Sequence, residues 1–192
     1  MAGNNTVVRS LHDVGMGAWF GGSLMGAIGV NGAADDVKTP TERLRVANAG
    51  WARWTPVNAA AIGMHLIGAV GMLRANQDRV RAQQGVATAS IVKTALTGAA
   101  LAATAYAGVL GRQTASGVGE PAEGGVTPGP GTPPAAAAAQ RRLKVVQWVI
   151  PALTGALTII SAQQGEAQRP ASQLGGLARR LDDSFGKLSP AA

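Results

Sequence analysis

Four long runs almost free of charge constrain this chain more than any other feature. They cover residues 14–34, 54–73, 86–110 and 145–162. The first contains no charged side chain, and the second lies between Arg53 and Arg74. The third is interrupted only by Lys93, and the fourth lies between Lys144 and Glu166. About 20 mostly apolar residues in a helix cover the ~30 Å hydrocarbon core of a bilayer. The pattern predicts an all-α fold, an integral membrane four-helix bundle. The first run, at about 21 residues, exceeds the ~7–15-residue core of a cleavable signal and is read as a span.

Composition agrees. Hydrophobic residues make up 46% of the chain and charged residues 14%, against about 25% charged in a typical soluble domain. The runs are built from Ala and Gly more than Leu, which suits helices that face other helices. The net charge of +7 comes from bases that flank the apolar runs. They form no cluster with aromatics, so anionic lipid head groups fit them better than nucleic acid does. With no cysteine, disulfides, thiolate metal sites and a cysteine nucleophile are excluded. The excess of Arg over Lys and the abundance of Ala and Gly point to a bacterial genome, hence to the cytoplasmic (inner) membrane.

The spans divide the chain into helices 1–3 (residues 1–112), a linker (113–139), helix 4 (140–166) and a polar tail (167–192). The linker holds Pro128-Gly129-Pro130-Gly131 and Pro133-Pro134 and is expected to be flexible and disordered. In the loop 35–53, Thr39-Pro40-Thr41-Glu42 reads as the start of a short surface helix. In the tail, Leu174, Leu177, Leu181, Phe185 and Leu188 recur at helical spacing and predict an amphipathic surface helix. Basic residues split evenly between the two sides, so they do not orient the chain; the expectation adopted is both termini inside. Trp51, Trp54, Tyr106 and Trp148 fall toward the other side, as in an interfacial belt.

Polar groups at depth are the candidate functional residues. At 1.5 Å per residue, Lys93 is expected roughly 10 Å deep and His65 roughly 12 Å deep. Trp19, Ser23, Thr154 and Thr158 belong to the same level, giving an intramembrane polar layer. The bland reading is that Lys93 snorkels and His65 bonds within the helices. His12 is expected at the membrane edge, about 12 Å from His65, so the two should not share one haem iron. A soft-metal alternative combines His12, Met16 and Met72 near one surface. Gly17 with Gly21, and Gly22 with Gly26, give two GxxxG spacings for close helix approach.

Leu11-His12, followed after six residues by Trp19-Phe20-Gly21-Gly22, resembles the first helix of the copper-resistance D-type membrane domain and of the haem-associated protoporphyrinogen oxidases. The resemblance covers about a dozen residues and implies a metal or haem role for His12. No further motif of either family accompanies it. As a whole the chain resembles uncharacterised small membrane proteins of actinobacteria, from which no activity follows.

No acidic pair within a span, metalloprotease spacing or phosphate-binding loop is present. The expectation is therefore a non-enzymatic accessory or scaffolding subunit with no catalytic residues and no cofactor. It would bind the lipid bilayer and other membrane proteins, or itself, and no nucleic acid. The alternatives are a haem- or copper-binding redox protein using His12 or His65, and a small transporter with Lys93 and His65 lining a polar path.

Overall fold

The computed structural model describes residues 5–75, 77 and 84–167. Helix is the regular structure throughout these residues, apart from one isolated bridge between Ala122 and Pro128. Helix α1 (Asn5–Met25) runs through a π-helical turn (Gly26–Val30) into the short α2 (Asn31–Asp35). A 3-10 turn (Pro40–Glu42) leads into α3 (Arg43–Ala75). Helix α4 (Gln84–Thr114) ends in a second 3-10 turn (Ala115–Gly117), and α5 spans Pro134–Ala167. The chain divides into a unit Met1–Leu157 and a unit Thr158–Ala192. In the second unit the described residues are the C-terminal turns of α5. The expected amphipathic stripe from Leu174 to Leu188 lies outside the described residues.

Three stretches are long and apolar enough to cross a membrane: Pro40–Ala75, Thr88–Gly117 and Pro134–Gly165. They contain the second and fourth expected spans and all but the first two residues of the third. The first expected span, 14–34, is helical but divided among α1, the π turn and α2, and it is not one of the three. Helix α1 begins at Asn5, before Arg9, His12 and Asp13, so it carries polar side chains that a charge-free window left outside the helix.

Glycine brings α1 and α3 together as antiparallel neighbours. A Cβ at Gly15 would lie 2.5 Å from the Ala61 carbonyl oxygen and the His65 nitrogen. One at Gly68 would collide with the backbone of His12 and Val8. Farther along, Gly22 and Gly26 seat the rings of Trp54 and Trp51. These two tryptophans are therefore packed against the neighbouring helical run. Trp148 and Tyr106 keep outward exposures of 48% and 42%. In the first unit α1, α3, α4 and α5 share a core: Trp19, Ala100 and Ile150 are buried together, with Ile62, Leu101 and Leu153 against them.

The expected disordered linker is corrected most. Ala122 and Val126 are buried, and the loop is pinned by hydrogen bonds. Gln140 Nε2 donates to the Gly124 carbonyl at 2.8 Å, and the Gly125 N–H donates to Asp35 at 2.9 Å. Arg43 donates to the carbonyls of Val37, Ala122 and Glu123. The glycines here serve close approach: a Cβ at Gly124 would strike the Asp35 carboxylate, and one at Gly125 the Ala47 methyl. Helix α5 also starts earlier than expected, at Pro134. Proline suits the first helical turn, and the alanine run that follows has the highest helix propensity of any residue type.

Candidate functional site

The antiparallel register of α1 and α3 overturns the depth argument for the histidines. His12 and His65 lie side by side, ring centres 4.5 Å apart and planes tilted by 46°. They are 3% and 1% exposed. Depth counted from the end of a charge-free run misplaced His12, because helix and packing both continue to the N-terminal side of that run. The backbones can approach this closely because residues 15 and 68 lack a Cβ.

His12 Nδ1 lies 2.8 Å from the Asp13 carboxylate. A carboxylate can only accept, so Nδ1 carries the hydrogen and Nε2 holds the lone pair. His65 differs. Both of its ring nitrogens are buried, and no group among the described residues meets hydrogen-bonding geometry with either, although the His12 backbone lies close. A buried polar atom left without any partner costs about 1–3 kcal/mol, and the His12 backbone is the nearest group able to offset that cost here. The charges that act on the pair are those of Asp13, Arg9 and Lys93.

The wholly buried Trp19 stands next to this pair, its ring centre 6.0 Å from that of His65. Its indole N–H donates to the Thr104 hydroxyl of α4 at 3.2 Å. Of the expected polar layer, the structure thus joins Trp19 and His65, and adds His12 and Thr104. Lys93 is half-buried on α4. Ser23 and Thr154 are buried, and each hydroxyl donates back to carbonyls of its own helix, Ser23 to Trp19 at 2.6 Å and Thr154 to Ile150 at 2.8 Å. Thr158 falls in the second unit and is exposed. Met16 is buried one turn after His12, whereas Met72 is half-buried two turns past His65. Two imidazoles on opposite faces of one haem iron have ring centres roughly 6 Å apart, from metal–nitrogen bonds of ~2 Å plus the ring radii. The observed pair is closer than that.

Sequence reasoning missed a second polar set toward the other end of α3. Asn31 donates to Gln147 at 2.6 Å and accepts from Trp51 Nε1 at 3.0 Å, tying α2, α3 and α5. The Thr114 hydroxyl donates to Asn48 at 3.0 Å, joining α4 to α3. The nearest signal was asparagine itself, at the edge of a charge-free run (Asn31) or in a stretch read as loop (Asn48). Between the two polar sets, Trp54 Nε1 and Asn58 Oδ1 are buried without a partner among the described residues.

Comparison with protein-family models, curated proteins and solved structures gives no match. Any functional reading therefore rests on the chain's own geometry.

Proposed function

We propose that this chain is a multi-pass protein of the bacterial cytoplasmic membrane, with four helical crossings, that acts as a non-catalytic accessory subunit binding other membrane proteins. The observation that carries this reading is the contrast between the two GxxxG spacings of α1 and the π turn that continues it. Gly22 and Gly26 are filled from within by Trp54 and Trp51, whereas a Cβ at Gly17 or Gly21 would meet nothing within 4 Å. The open pair is flanked by Val14 and Met25 of α1 and by Ile28 of the π turn, all more than half exposed. Small residues bordered by branched and long apolar ones are what a second transmembrane helix packs against. On α4, Gly98, Gly108 and Gly111 are likewise open. Outward Ile67, Ile91 and Val145, 63%, 69% and 65% exposed, support burial of these helices in lipid.

The test is co-purification of the tagged full chain from its native membrane in mild detergent. Wild type should carry a stoichiometric membrane partner, and Gly17→Leu with Gly21→Leu should lose it while helix content is kept. Recovery of the chain without any partner, or retention of the partner by the double variant, refutes the assignment.

A further inference from the structure

One groove on the first unit is left open by the helix packing. It measures about 500 Å³ and lies between residues 25–33 and residues 45–53 of α3. Small residues make the hollow. Gly29 and Ala33 line one wall, and Ala49 and Gly50 the other. Val30 packs on Gly50, where a Cβ would lie 2.7 Å from the valine methyl. The π turn Gly26–Val30 takes up one extra residue, which rotates the side chains after it by about 100° relative to an uninterrupted helix. That rotation turns Val30 and Ala33 toward α3. Such π turns within helices are frequent at functional sites.

The lining is amphiphilic. Among its nine residues are two arginines, Arg45 and Arg53, and no carboxylate. Both arginines are exposed. Glu42 accepts from Nε and Nη2 of Arg45, and Arg53 Nη1 donates to the Ala49 carbonyl of its own helix at 3.1 Å. A guanidinium has five donors, so each keeps hydrogens that no described residue receives. We propose that this groove holds one anionic glycerophospholipid, with its phosphate on Arg45 and Arg53 and the upper part of one acyl chain along Gly29, Val30 and Gly50. The proposal rests on the reading that these helices cross a bilayer. It adds a bound lipid of defined charge to the accessory role argued above.

The level of the groove fits this occupant. No charged side chain lies between Arg53 and Arg74, so Arg53 marks where α3 enters the hydrocarbon. Arg45 stands about two turns earlier, roughly 12 Å along the axis. The head-group layer adds ~5–7 Å on each side of the hydrocarbon, and the groove opens at that level. There a phosphate and the first carbons of an acyl chain lie side by side. Arginine suits the phosphate because its fork bonds two oxygens at once, and basic pockets between membrane helices bind anionic head groups. A small soluble anion has no apolar part to cover Val30 and the small residues around it. A zwitterionic lipid brings a cation that two arginines repel.

Native mass spectrometry of the full chain in mild detergent tests this, with phosphatidylglycerol or phosphatidylcholine of the same acyl chains titrated in. Wild type should bind one phosphatidylglycerol about tenfold more tightly than phosphatidylcholine, and Arg45→Gln and Arg53→Gln should each weaken it about fivefold. Gly29→Leu should also weaken it, because the new side chain fills the floor and displaces only the end of Met25. Arg112→Gln, an exposed arginine of α4 outside the groove, should change nothing. Equal affinity for the two lipids overturns the proposal. So does a loss in Arg112→Gln as large as in Arg53→Gln, which means diffuse attraction to the basic surface. Glycerol phosphate should not displace the lipid; displacement at equal concentration means a plain anion site and also overturns it. Alkaline carbonate extraction of native membranes separates this from the membrane reading. Protein that washes off refutes that reading and the lipid site with it, whereas inserted protein without lipid preference refutes the site alone.

Discussion

Replacing Gly68 by alanine should destabilise the α1–α3 pair, although alanine is the better helix former. The new Cβ would meet the His12 nitrogen and Cα and the Val8 carbonyl oxygen, all backbone atoms that cannot rotate away. Carbon contacts are favourable near 3.5–4.0 Å. The Val8 oxygen would lie at 2.5 Å, so α1 must withdraw by about 1 Å over that turn. Overpacking of this kind costs about 1–3 kcal/mol. The intrinsic gain for Gly→Ala in a helix is about 1 kcal/mol and acts in the opposite direction. Gly63 provides the control, since it lies on the same helix and a Cβ there meets nothing within 4 Å. The propensity term is common to both substitutions, so the stability of Gly63→Ala minus that of Gly68→Ala isolates the clash, at about 1–3 kcal/mol. Denaturation of both variants in mixed micelles, followed by tryptophan fluorescence, measures this difference. Equal stability, or a more stable Gly68→Ala, would refute the argument that glycine sets the distance between His12 and His65.

Two further outcomes follow from the loop and its anchors. Gln140→Leu should leave the Gly124 carbonyl buried without its donor, at a cost of about 1–3 kcal/mol; limited proteolysis should then cut within residues 118–132, which wild type resists. Asn31→Leu and Gln147→Leu should each destabilise the chain, and together by less than their sum. The coupling should be about 0.5–3 kcal/mol in a double-mutant cycle, because either change removes the same 2.6 Å hydrogen bond; strict additivity would refute it.

Sequence alone determined the helical character of the chain and three of its long apolar segments. Period and composition are local properties, and a run such as 145–162 has no alternative way to satisfy its backbone once it is withdrawn from water. It also singled out His12, Trp19 and His65, which the fold brings together, because polar groups in apolar helices are conspicuous. Their arrangement was not legible. Depth counted from the ends of charge-free runs put His12 and His65 on different levels, whereas their separation depends on the register of α1 against α3. That register is decided by shape, as the glycines at 15 and 68 let two backbones touch where any Cβ would part them. The loop at 115–133 teaches the same lesson. Its Gly and Pro content reads as freedom when nothing is known to lie beside it. Asp35, Arg43 and Gln140 come from segments distant in sequence, and only the fold brings their hydrogen-bonding groups to that backbone, where a side chain in place of Gly124 or Gly125 would have kept them away.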